Sequence, residues 1–471
     1  MAAEQAGTES TDPQMRHWLL IMVLVSGFTM PLMLSASNVA LPAIATDLQL
    51  DAVLLSWIPM IYLMASAMFI VIFGRVADNS GRKRIFLLGT TAVILSSTLA
   101  ALSPNATILL FARFLQGVSA AMLYATQMAL VSSVFPPAQR GRVIGLVVSS
   151  IYVGLAVGPL LGGFVIDTLG WRFAFLLQLP LAAVVLWIGL FRVRSEWCAP
   201  LTQAFDWPGA VLYASAILLL CLGVSRLPAP QSVVLLALSA ATMFAFTRHA
   251  RRSPHPIWDV RLFFSNRVFT FSCAASLIMY SATYANVVLL SLHLQYLKQM
   301  SATMAGLLIL VQPLSMAVLS PFMGRLSDRI EPRVLASLGM AITTAGLLLL
   351  AALSGNGSNT ALVMALLLTG AGFSLFSSPN ANAIMGSVGR EQAGSASGAV
   401  ATTRLLGQLN SMVLVTMVLS LVVGATTITA ENLPALESAI SLSFLIAALL
   451  CLPGIALSLR RGRLHGRKQG S

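Results

Sequence analysis

Residues 74–84 read GRVADNSGRKR and residues 324–333 read GRLSDRIEPR. In both, Gly-Arg-x-x-Asp closes a long apolar stretch and is followed by more basic residues. Asp78 and Asp328 stand 250 positions apart. A charged loop that recurs in a chain with few charges implies two related halves. Two further echoes keep the same order: Leu115-Gln116-Gly117 with Leu368-Thr369-Gly370, and Gly141-x-x-x-Gly145 with Gly394-x-x-x-Gly398.

Between these loops the chain is overwhelmingly apolar. Of 471 residues, 57% are hydrophobic and 9% charged, against about 25% charged in an ordinary soluble domain. A water-facing surface cannot be built from so few charges, so most of the surface faces lipid. A spanning helix needs about 20 largely apolar residues. Fourteen such stretches are predicted, near 18–41, 53–76, 84–103, 106–134, 142–167, 171–191, 208–226, 231–247, 268–292, 302–324, 333–354, 359–384, 395–424 and 437–459. Only helices satisfy an open chain's backbone in hydrocarbon, so the expected fold class is an all-α membrane protein.

The basic residues test this count. With both termini cytoplasmic, 23 of the 28 Lys and Arg fall in inside segments and 3 (Arg172, Arg226, Lys298) in outside ones. The other two, Arg113 and Arg404, fall inside predicted helices. This is the bias of the positive-inside rule. The net charge of +13 is thereby read as membrane topology, not as a nucleic-acid surface. The four cysteines are scattered, so no disulfide framework or metal site is expected.

The repeat divides the chain. We expect a cytoplasmic tail over 1–15, a six-helix bundle over 16–195, an inserted helix pair over 206–250, a second six-helix bundle over 260–460 and a basic tail over 461–471. Paired six-helix bundles are the architecture of transporters that rock about a site between the halves.

At this point the residues resemble a known family, the major facilitator superfamily, and within it the fourteen-helix drug/proton antiporter branch. Gly74-Arg75-x-x-Asp78-x-x-Gly81-Arg82-Lys83-Arg84 is similar to the loop between helices 2 and 3 of that superfamily. Arg113-Phe-Leu-Gln116-Gly117 looks like its helix 4 motif. Gly154-x-x-x-Gly158-Pro159-x-x-Gly162-Gly163 looks like the helix 5 motif of exporters, and Asn38-Val-Ala-Leu41-Pro42 fits the branch in helix 1. The resemblance implies an inner-membrane multidrug exporter working by proton antiport, without cofactor and as a monomer. It departs at one position. The branch carries an acid in helix 1, five residues before the Asn of this motif, and here that position is Met33.

Each motif has a physical reading. Gly74, Asp78, Gly81 and Arg82, echoed by Gly324 and Asp328, form a charged loop able to act as a gating latch between two states. The helix 5 glycines allow close backbone approach, and Pro159 bends that helix. Charges within the membrane face protein or a wet cavity, so Arg113 and Arg404 are candidate cavity residues. Gln116, Gln127 and Tyr124 share helix 4 with Arg113, and Gln408 lies one turn from Arg404. Asn38, Asn380 and Asn382 supply further amides, although in lipid such groups often tie helices together. His293 is a candidate titrating group near the outer end of helix 9.

None of the fifteen acids falls at mid-membrane, whereas two arginines do. The expected cavity is therefore electropositive, suited to a neutral or anionic amphiphile. No nucleophile–base pair is read, so the chain is not expected to be an enzyme. An uptake carrier for organic anions, or a membrane receptor without transport, are the rival readings.

Overall fold

The structure is a computed structural model that describes residues 13–197, 205–254, 256–258, 260–327, 329–353, 357–388 and 393–462. Asp328 lies outside the described residues, so the second loop's expected latch acid has no structural account.

Among the described residues fourteen helices are long and apolar enough to cross a membrane, as the sequence predicts. They are α1 (Pro13–Val39), α2 (Ala52–Ser80), α3 (Arg82–Ala101), α4 (Ala106–Val134), α5 (Val143–Leu169), α6 (Trp171–Phe191) and α7 (Trp207–Ser225). There follow α8 (Gln231–Arg252), α9 (Arg267–Leu297), α10 (Ala302–Leu326), α11 (Pro332–Ala352), α12 (Asn359–Gly386), α13 (Gly398–Val422) and α14 (Ala430–Arg460). The count being even, both ends of the described chain emerge on one face, the terminal face. The other is the far face.

Side chains that accept a backbone N–H start several helices. Asp51 caps α2, Asn105 caps α4, Asp206 caps α7 and Ser358 caps α12. Each satisfies a donor that the first helical turn leaves open. Gly81 makes the turn from α2 to α3 at a φ of +109°, a conformation that residues with a Cβ rarely adopt.

The first six and last six helices pack in the same pairwise order. In the first set α1 lies on α5 and α6, α4 on α2 and α3, and α3 on α6. In the last set α9 lies on α13 and α14, α12 on α10 and α11, and α11 on α14. The two main contacts across the sets, α5 on α10 and α2 on α13, exchange when the sets exchange. Helices α7 and α8 pair with each other, and α7 rests on both α2 and α13.

The repeated motifs fall at matching places in this packing. A Cβ on Gly117 would stand 2.3 Å from the Tyr62 carbonyl oxygen of α2. One on Gly370 would stand 2.6 Å from the Gln312 carbonyl oxygen of α10. Both α4 and α12 use their glycine to seat against the second helix of their own set.

Candidate functional site

Arg113 is fully buried, at 0% exposure, on α4. Its Nε donates to the Ile58 carbonyl of α2 at 3.1 Å, and its Nη1 donates to Gln116 Oε1 at 2.9 Å. Gln116 in turn donates to Ser97 Oγ of α3 at 2.9 Å, and Gln178 of α6 donates to the same oxygen. The Tyr62 ring centroid lies 4.8 Å from the guanidinium carbon and that of Phe175 lies 5.8 Å away. Met33 of α1 is equally buried, and its Sδ accepts from Arg113 Nη1 at 3.4 Å. Arg113 Nη2 has no hydrogen-bond partner, and no ion pair involves Arg113 among the described residues. A guanidinium stays charged in protein, so a full positive charge stands here facing a neutral thioether.

The hydroxyl of Tyr62 lies 3.4 Å from that of Tyr124 on α4. The Tyr124 ring centroid is 5.8 Å from the guanidinium carbon of Arg404 on α13. Arg404 is half-buried, as is Gln408 one turn on. The sequence-predicted residues Met33, Arg113, Gln116, Tyr124 and Arg404 are thus joined into one line, with Tyr62 as the link. Asn38 is buried with its Oδ1 unpartnered, next to the Tyr284 hydroxyl, which also lacks a hydrogen bond of good geometry. Tyr152 lies near Arg404 and meets Ser377 of α12 at 3.2 Å.

Three expected amides point elsewhere. Gln127 donates to the Val23 carbonyl of α1 at 2.9 Å, tying α4 to α1. Asn382 is exposed and donates to Ser327 Oγ at 2.7 Å. Asn380 accepts from Arg461 Nη1 at 2.6 Å and donates to the Ser272 carbonyl at 3.0 Å. Arg461, the first residue of the expected basic tail, is 1% exposed. Burial pulls its pKa down to about 10, opposed by the nearby Glu331 carboxylate. His293 is buried with Nδ1 unpartnered, in a π-helical turn over His293–Leu297.

In the charged loop after α2, Arg75 Nη2 donates to the Pro256 carbonyl beyond α8 at 3.2 Å, whereas Arg82 closes upon its own set of helices. Arg82 Nη2 lies 2.8 Å from Asp78 Oδ1, and Arg82 Nη1 donates to Ser133 Oγ of α4 at 2.6 Å. Gly74 has no neighbour within 4 Å of a Cβ position, and Gly324 meets only Ser378 Cβ at 3.8 Å.

The glycines of α5 divide by partner. Gly154, Gly158 and Gly162 seat on α1, where added Cβ atoms would meet Phe28 O at 2.2 Å, Leu32 O at 2.7 Å and Ala36 Cα at 2.7 Å. Gly163 faces α10 instead, 2.3 Å from the Ala302 carbonyl oxygen, and Gly306 of α10 answers it 2.1 Å from the Pro159 carbonyl oxygen. Asp167 locks this crossing: its carboxylate accepts from Thr303 N at 2.8 Å, Thr303 Oγ1 at 2.5 Å and Ala302 N at 3.2 Å. Beside it Gln295 of α9 donates to the Val39 carbonyl at 2.9 Å. Across α2 and α13, Thr416 donates to Ser56 Oγ at 2.9 Å, and Ala52 N donates to the Thr426 carbonyl at 3.0 Å. All these bonds lie toward the far face. Toward the terminal face, Gly145 and Gly398 have open space beside them.

Sequence reasoning missed Tyr62, Tyr152 and Tyr284. The signal was present. Tyrosines in membrane helices favour the two interfaces, yet these three and Tyr124 stand well inside their spans. Asp167 was not singled out, since its partner residues are 135 and 136 positions away.

A fourteen-helix bundle with a repeated packing order and polar groups between its two sets is the build of a membrane transporter. The major facilitator superfamily model matches residues 23–412, and the chain belongs to that superfamily. The uncharacterized transporter YebQ of Escherichia coli (strain K12) is 31% identical over 413 residues, covering 87% of this chain and 90% of its own. Multidrug resistance protein Stp of Mycobacterium tuberculosis (strain ATCC 25618 / H37Rv) is 32% identical over 395 residues, covering 83% of this chain and 73% of its own. A crystal structure of a POT family transporter in complex with 5-aminolevulinic acid superposes with a TM-score of 0.71. That match spans 94% of this chain and 96% of the other at 13% identity, a likeness of fold. The protein is a multi-pass membrane transporter of that superfamily and not an enzyme.

Proposed function

We propose that this protein exports small neutral or anionic amphiphiles across the inner membrane by rocking its two six-helix halves about a site between them. The terminal face is then cytoplasmic, a reading supported by the 23 basic residues that fall on that side. The reading treats the chain as a monomer and α7–α8 as an insertion outside the halves.

One observation carries the substrate charge. Arg404 and Arg113 line a tyrosine-rich interior, and neither makes an ion pair among the described residues. A cation entering that interior meets two like charges and no counter-ion, whereas an anion meets an unpaired guanidinium. Export is supported by the kinship to Stp. With the cytoplasm negative, expelling one negative charge gains about 2.3 kcal/mol per 100 mV. Voltage alone can therefore drive the cycle, and a proton exchanged for a neutral substrate can do the same.

Inside-out vesicles test this reading. Uptake of an organic anion driven by voltage, and lost in Arg404→Ala, is the expected result. Uptake of a quaternary ammonium dye driven by a pH gradient and indifferent to Arg404 overturns it.

A further inference from the structure

We infer that Arg113 is a second, outward anion station, holding one carboxylate or halide after it has passed Arg404, with the Tyr62–Tyr124 pair as the gate between the two. The inference deepens, and rests on, the reading of an anion-accepting path.

The two arginines stand at different depths. Arg113 lies seven residues into α4 from its far-face start at Ala106, while Arg404 lies eleven residues in from the terminal-face start of its helix, Ala393–Val422. On α4 itself, Tyr124 lies eleven residues beyond Arg113, about 16 Å at the α-helical rise. The line runs Arg404, Tyr124, Tyr62, Arg113, each touching the next through a ring face or a hydroxyl. Arg404 is half-buried, and Arg113 is wholly enclosed behind the tyrosines.

What marks Arg113 as a station and not a mere strut is its unfinished coordination. Its Nη2 is buried without an acceptor, and the Tyr284 hydroxyl and Asn38 Oδ1 nearby are also unsatisfied. Buried polar groups are ordinarily paired, and an uncompensated buried charge is strongly destabilising. Helices α1, α2, α3 and α6 all contribute to fixing the guanidinium, so it is held in place without being neutralised. Opposite it Nη1 meets Met33 Sδ, a soft thioether that hydrogen-bonds weakly. An anionic group displacing Met33 Sδ from Nη1 and filling Nη2 would complete the fork, which matches a carboxylate bidentately. Passage from Arg404 to Arg113 carries the negative charge outward, the direction favoured by voltage.

The test is equilibrium binding of radiolabelled benzoate to the purified full-length protein in nanodiscs, with chloride as competitor. Met33→Asp supplies Arg113 with a resident carboxylate and should fold at least as well as the parent. Benzoate binding that survives Arg404→Gln, but weakens at least about tenfold in Met33→Asp, is expected from the loss of charge-assisted hydrogen bonds. Gly145→Ala, which has open space beside it and lies outside the line, should bind as the parent does. Chloride competing at concentrations similar to benzoate identifies a resident halide; chloride without effect identifies the substrate's own carboxylate. Binding that Met33→Asp leaves intact and Arg404→Gln abolishes overturns the second station while leaving the anion path through Arg404 standing. Vesicles that carry only cations, with chloride still bound and still lost in Met33→Asp, overturn the proposed substrate class but keep the station.

Discussion

Met33 Sδ lies 3.4 Å from Arg113 Nη1, the thioether of α1 standing where a buried guanidinium would ordinarily meet a carboxylate. The consequence is a positive interior, and it reaches both substrate choice and stability.

Arg113 should be retained for transport at the expense of the fold. Replacing a buried ionic group by an apolar one of similar volume is often neutral or stabilising by about 1–4 kcal/mol. Arg113→Met is therefore expected to unfold at the parent's temperature or above it, while losing anion export. Thermal unfolding in detergent beside vesicle transport checks this. A variant that unfolds well below the parent would show that the hydrogen bonds to Ile58 and Gln116 outweigh the unpaired charge.

Gly163 and Gly306 should govern the far-face seal, and their neighbours should not. Added Cβ atoms there must push α5 and α10 apart, an overpacking that costs about 1–3 kcal/mol. Gly163→Ala is expected to lengthen the distance between spin labels placed at Leu169 and Met304, measured by pulsed EPR. Gly145→Ala, which has open space beside it, should leave that distance unchanged.

Asp167 should act on the same seal through charge. Its carboxylate takes three hydrogen bonds from the first residues of α10, where the helix dipole also favours an anion. Asp167→Asn is expected to weaken the seal by about 1–2 kcal/mol, roughly a tenfold shift toward the open form. The same label pair reads it, and an unchanged distance distribution would show that the glycine contact alone holds the far side shut.

Outside the membrane, Asp47 has a definite pH signature. Hydrogen bonds from Arg172 and Trp171 hold its carboxyl below the ordinary 3.8. The pair therefore contributes its stability above the ordinary value, and loses it as the pH falls through the lowered one. Both partners are largely exposed, so the contribution is under about 1 kcal/mol. Asp47→Asn should unfold slightly earlier than the parent at pH 7 and together with it at pH 2.

The frame was legible because hydrocarbon imposes it: spans, basic loops and the Gly117 and Gly370 echoes are local patterns. Arg113 and Arg404 were legible as charges where charges are rare. The roles of the amides were not, because each depends on a partner far along the chain. Asn380 was set by Arg461, which reads in sequence as part of a solvated basic tail and is buried in the fold. Gly163 differs from Gly162 only in the helix face it occupies, and that face met α10 instead of α1. The link from Tyr124 to Tyr62 escaped notice because two tyrosines on α4 and α2 form no motif until the helices pack.

The most direct test is the sign of the charge movement when purified protein, reconstituted in liposomes on a solid-supported membrane, meets a carboxylated amphiphile and then its quaternary ammonium counterpart. The account predicts a transient of negative charge with the carboxylate, lost in Arg404→Ala, and none with the ammonium compound. A transient of positive charge with the ammonium compound, surviving Arg404→Ala, would contradict it.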